Sequence, residues 1–162
     1  MRLTTLLLFL SLLTAGSTLS ADSAAPVDLS TRARGAGHVV VALVERVRAD
    51  YQRNEFGDVL IVSHAQVRVR EVLKGASVAG DDLTLDVEGG TVDGITLRVS
   101  DLQSLEAGDQ AVLFIDETRD GRKVPHLRGQ GIVKVDTNGR LQGSSLTVDD
   151  VRRAVANARG QR

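Results

Sequence analysis

From His38 to Val135, apolar residues mostly alternate with polar ones at a period of two, the pattern of strands with one buried face. Val39 to Val44 is instead a continuous, largely β-branched run. It predicts a strand buried on both faces at its start, and Glu45, Arg46, Val47 and Arg48 predict partial exposure further on. Asn54 to Asp58 reads as a turn. Val59 to Leu73 predicts a second long strand, with Val59, Ile61, Ser63, Ala65, Val67 and Val69 on one face and Leu60, Val62, His64, Gln66, Arg68 and Arg70 on the other. The broken alternation at Glu71-Val72-Leu73 predicts a bulge or bend. Leu83 to Val87 and Ile95 to Val99 predict a third and a fourth strand around a Gly89-Gly90 turn. Gln110 to Asp116 predicts a fifth, Asp120-Gly121 a hairpin, and Val124 to Val135 one or two more strands around Gly129 and Gly131.

Both ends leave this period. Near the C-terminus, Val148, Val151 and Val155 recur at helical spacing and Ala154 and Ala158 extend their face. Thr147 is the expected N-cap, Asp150 stands at the capping-box position in place of the usual Glu, and Gly160 is the expected stop. At the N-terminus, Arg2 precedes an apolar run from Leu6 to Leu13, and Leu19-Ser20-Ala21 fits a small-residue cleavage site. That run is roughly half the ~20 residues a membrane span needs, so residues 1–21 are expected to be a secretory signal peptide. Residues 22–37 are expected as a flexible lead-in, with room for a helical turn from Leu29 to Gly37. A β-barrel domain over 38–143 and a terminal helix within 144–162 complete the expected organisation.

Short turns between strands, with the helix outside the strand order, argue against βαβ units. The expected fold is mainly β: a small antiparallel, closed or partly closed barrel, which hides strand edges, with one C-terminal α-helix packed on or near it.

Composition narrows the function. The chain has no cysteine, which excludes disulfide staples, zinc–cysteine centres and thiol nucleophiles, so an exported domain must hold itself by core burial. Loss of Arg2 with the signal leaves 19 basic against 21 acidic residues, a formal charge of −2, with no excess to attract nucleic acid or anionic lipid. Tyr51, Phe56 and Phe114 are the only aromatics beyond the signal, too few for a base-stacking platform.

Three elements, and a fourth in part, carry a resemblance. Val67-Arg68-Val69-Arg70-Glu71-Val72-Leu73-Lys74-Gly75 is similar to a "V-x-V-x-E-V-L-K-G" element. Glu88-Gly89-Gly90-Thr91-Val92-Asp93-Gly94-Ile95 resembles "P-G-G-x-x-G", with Glu88 where proline is usual. Ala107 to Phe114 resembles "V-G-E-x-x-L-L-F-L", and Gly129-Gln130-Gly131 matches "G-x-x-Q-G" in part. In this order they resemble a family of uncharacterised exported bacterial proteins with a small OB-like β-barrel, loosely comparable with netrin-like and metalloprotease-inhibitor domains. The resemblance implies a barrel and brings no catalytic residues. Inhibitors of that type ligate zinc through an N-terminal cysteine, which this chain lacks, so only steric blocking or escort of an exported protease is left from that association.

No arrangement for catalysis stands out. His38, His64 and His126 have no partner at metal-ligand spacing, so no metal or cofactor is expected. Ser63 and His64 are adjacent on a strand and point to opposite faces. Asp86 and Glu88 share a strand face; with a histidine they would suit a hydrolase, and otherwise they form a polar face whose repulsion Arg98 or Arg68 would relieve. The favoured expectation is a non-enzymatic, periplasmic or extracellular module that binds a protein or envelope component. The loops Tyr51–Asp58 and Asp116–Arg122 are its contact surfaces, and Tyr51 and Phe56 are the candidate binding residues.

Overall fold

The computed structural model describes residues 28–54 and 56–160; the expected signal peptide and the first part of the lead-in lie outside them. The order is α1 (Leu29–Gly35), β1 (His38–Arg53), β2 (Val59–Lys74), β3 (Asp82–Glu88), β4 (Gly90–Val92), β5 (Ile95–Leu97), β6 (Gln110–Glu117), β7 (Lys123–Pro125), β8 (Ile132–Val135) and α2 (Val148–Arg159). Strands β1, β2, β3, β7 and β6 form a ring, closed by β6 pairing back onto β1, and β8 continues along β6 beside β7. All these pairings are antiparallel except one. The ring closes between β3 and β7 through a parallel contact, Leu85 with Lys123, where a wholly antiparallel barrel was expected.

The interior of the ring is aliphatic. Val40, Ala42 and Val44 of β1 meet Ala65, Val67 and Val69 of β2, Leu85 of β3, and Leu113 and Ile115 of β6. The alternate residues of β1 and β6 point outward and are buried as well: Val39, Val41, Val112 and Phe114 form a second core with Ala33 of α1 and Val151 and Val155 of α2. Burial on both faces is why these two strands read as unbroken apolar runs rather than alternating ones. The expected irregularity of β2 is present, because the β1–β2 register shifts between Val39 and Val40 and again between Val41 and Ala42.

Part of the expected lead-in is helix. Asp28 caps α1 by accepting from the backbone N–H groups of Ser30 and Thr31, at 2.9 and 3.1 Å. The hydroxyls of Ser30 and Thr31, then those N–H groups, hold its carboxyl well below the usual carboxylate range. At the other end Lys74 Nζ donates to the carbonyls of Ala33, Arg34 and Ala36, so a strand lysine satisfies acceptors the helix leaves open. The buried Ala33 and Ala36 anchor this segment, which explains its departure from a flexible tail.

Helix α2 carries the expected capping box, with Thr147 and Asp150 bonding reciprocally. Gly160 is its C-cap but at φ −76°, so the helix stops without a left-handed glycine. The sequence reading missed β4 and its pairing with β5; the turn between them is Asp93-Gly94, a hairpin signal that would have found it. Gly129-Gln130-Gly131 lies in a short 3₁₀ turn, Arg128–Gly131. A Cβ on Gly129 would overlap the Asp101 carbonyl, so the close approach of these two loops requires glycine there.

Candidate functional site

The β1–β2 ribbon is longer than the ring needs. Strand β6 covers β1 only from His38 to Leu43, and β3 covers β2 only from Val62 to Arg68. Beyond those spans, the ribbon's far end, residues 49–53 and 59–61, is covered on one face by Gly90 of β4, which packs against Ala49 and Ile61; Ile61 is buried, while Tyr51 and Val59 are exposed. The ribbon's tip is set by Asn54, whose side-chain oxygen accepts from the N–H groups of Phe56 and Asp58 at 3.0 and 2.8 Å. Arg53 donates to the Gly57 carbonyl at 2.6 Å. This turn leaves the Phe56 side chain 82% exposed.

The β6–β7 loop stands across from it. Thr118 N–H donates to the Arg122 carbonyl at 2.8 Å, and the Thr118 hydroxyl donates to Asp120 at 2.6 Å. That hydroxyl and the Arg122 guanidinium hold the Asp120 carboxyl below its ordinary value. Between the two loops runs a groove of about 830 Å³, floored by Leu60, Val62 and Val124 with Asp86 and Glu88 beside them. Phe56 and Arg53 line one side and Arg119 and Arg122 the other. Both loops expected as contact surfaces thus border a single groove. Of the two candidate binding residues, Phe56 lines it. Tyr51, 45% exposed, pairs with Ile61 on the opposite face of the ribbon.

The carboxylates of the floor are already matched. His64 Nδ1 lies 2.7 Å from Asp86, and Arg122 lies 3.8 Å from its other oxygen. Glu88 is paired with Arg128 at 3.1 Å. The expected partners Arg68 and Arg98 are not used; Arg68 pairs with Glu45 and Asp82 instead. His64 Nε2 faces Gln52 at 3.1 Å and Asp50 at 3.3 Å, so this imidazole joins strands β1, β2 and β3. Burial pulls its pKa down, but the bonds to Asp86 and Asp50 together outweigh burial and leave it raised. Both ring nitrogens are thus engaged within the protein.

The other groups singled out in the sequence are dispersed. Ser63 lies on the far face from His64 and donates to the Gly89 carbonyl at 2.7 Å. His126 is bonded to Asp116 at 2.7 Å and packs against Gly35, where a Cβ would come within 2.5 Å of Nε2. This pair ties the end of α1 to the β6–β7 hairpin. The expected grouping of Asp86 with a histidine is met by His64, whereas the sequence reading missed the pairing of His126 with Asp116, because that carboxylate comes from another strand. The Asp120-Gly121 hairpin signal, taken with its register, would have suggested that Asp116 and His126 approach one another. Among the described residues, no group of three or more histidine or acidic side chains is placed to hold a metal ion, and no helix is long and apolar enough to cross a membrane. No protein-family model matches the chain, and comparison with curated proteins finds no significant relative.

Proposed function

We propose that this chain is an exported, non-enzymatic β-barrel module that uses the groove between the β1–β2 and β6–β7 loops to bind an extended segment of a protein or envelope component. The observation that carries this reading is the pair of loops: distant in sequence, they border one groove that combines an apolar floor with a highly exposed Phe56. An exposed aromatic on a rigid turn is a suitable anchor for a partner. Asp86 and Glu88 have cationic partners, whereas Arg119 has no carboxylate partner among the described residues, so the groove favours a segment with an acidic group next to an apolar side chain. The ring order supports reading the barrel as OB-like, a class in which the face of strands two and three and its flanking loops carry ligand binding. Export rests on the signal-peptide pattern of residues 1–21.

Capture from envelope and culture fractions, with crosslinking, tests the reading. The unaltered protein should recover a partner, and Phe56→Ala or Arg119→Glu should reduce recovery by roughly tenfold or more, as expected for an anchor residue. Recovery of nothing above background, or equal recovery by both variants, overturns it.

A further inference from the structure

The second edge of β1 is used along only part of its length. Strand β6 occupies it up to Leu43, and Val44 completes the contact by bonding to Asp109 and Gly108. From residue 45 to residue 53 no described backbone group bonds across that edge. Which groups are free follows from the turn: Asn54 N–H donates to the Asp58 carbonyl, so Gln52, Asp50 and Arg48 also face β2. The N–H and C=O groups of Val47, Ala49, Tyr51 and Arg53 point the other way. A row of this kind is a template for another strand, and charged side chains ordinarily blunt it.

Here the charges are self-complementary. We propose that two copies of this chain pair antiparallel along this edge, with Ala49 on the two-fold axis. In that register Arg48 faces Asp50, Val47 faces Tyr51, Arg46 faces Gln52 and Glu45 faces Arg53, each pairing occurring twice by symmetry. Placing the axis at Arg48 would set two arginines face to face, and placing it at Asp50 would oppose two aspartates, which is unfavourable. The outward-facing residues are then opposite one another, as hydrogen-bonded pairs of an antiparallel ladder require. The ladder ends naturally, because Asn54 would fall opposite Val44, whose outer groups are already bonded within its own barrel. The result is one continuous sheet running through both barrels, and an isologous dimer. The groove reading neither requires this dimer nor follows from it.

Sedimentation of the purified protein should show a dimer. Arg48→Asp should weaken association about tenfold or more, since two attractive contacts become repulsive. Asp50→Arg should do the same, and the double exchange R48D/D50R should restore the dimer. Both positions are exposed, and circular dichroism checks that the variants fold. Cysteine substitution provides an independent readout in a chain that has none. A mixture of R48C and D50C should oxidise to the mixed disulfide far more than either variant alone. Facing non-hydrogen-bonded Cα atoms are ~4.5 Å apart, within bridging range, and like positions are diagonal at ~7–8 Å. A monomer at every concentration tested, a dimer unaffected by Arg48→Asp, or no preference for the mixed disulfide overturns the proposal.

Discussion

The two halves of the β1–β2 ribbon do different work. Near the chain's entry, Val39 to Val44 are apolar on both faces and hydrogen-bonded on both edges, with the barrel core on one side and the helices on the other. Past the bulge between Val44 and Arg46, β1 loses β6 and its continuous apolar run, while Ile61, Val62 and Ala65 of β2 stay buried. What remains there is a groove, a free edge and a histidine held between carboxylates. One half supplies the stability that lets the other be polar and open. Substitutions in the first half should therefore be felt mainly as lost stability, and those in the second should cost little of it.

The largest expected effect tests the first half. Phe114→Ala empties a fully buried site against β1 and removes the ring over which the Arg32 guanidinium lies at 5.3 Å, so it should cost about 3–5 kcal/mol. Its neighbour Leu113, which points into the barrel, should cost about 2–5 kcal/mol as Leu113→Ala. Denaturant unfolding measures both. If either variant loses less than about 1 kcal/mol, its core is not closed as described. Next comes the clamp on the outer core: Thr147→Ala removes the capping box and should cost about 1 kcal/mol. Hydrogen exchange should show the loss of protection in α2 and α1 before the ring, since α2 covers only the outside of the barrel.

The second half should respond weakly and in a pH-dependent way. The fold raises the pKa of His64, so its imidazolium stabilises the folded state. That contribution is fully present below the unfolded value near 6.5 and is lost as pH rises through the higher folded value. His64→Gln should flatten this part of the stability–pH curve, with an effect within the ~0–1 kcal/mol of partly exposed ion pairs. An unchanged slope as pH rises above about 6.5 would show that His64 is not clamped. Smallest of all, Phe56→Ala should leave stability within about 0.5 kcal/mol, because its ring is mostly in solvent. A large thermal shift in that variant would move Phe56 from the exposed rim of the groove into the core.

Much of this division was legible in the residues. The β-branched run at Val39 predicted burial on both faces, and the first residues beyond it, Glu45 to Arg48, predicted the exposed stretch. The period of two placed Ile61, Ala65, Val67 and Val69 on one face, where all four are buried. Thr147 and Asp150 announced the start of α2. Phe56 stood out as an aromatic in a turn, but the same argument also named Tyr51, which the strand alternation places on the other face from the groove.

Side-chain period and turn chemistry are consequences of local backbone geometry, so the sequence alone determined most of the strands and turns and the terminal helix. It could not determine which loops would meet. The parallel contact of Leu85 with Lys123 closes the ring, and that closure sets the Thr118–Arg122 loop opposite Phe56 and Arg122 beside Asp86. Ring closure depends on strand register and curvature summed around the whole barrel, a long-range condition that no short stretch of residues encodes, and so tertiary structure alone decided the groove.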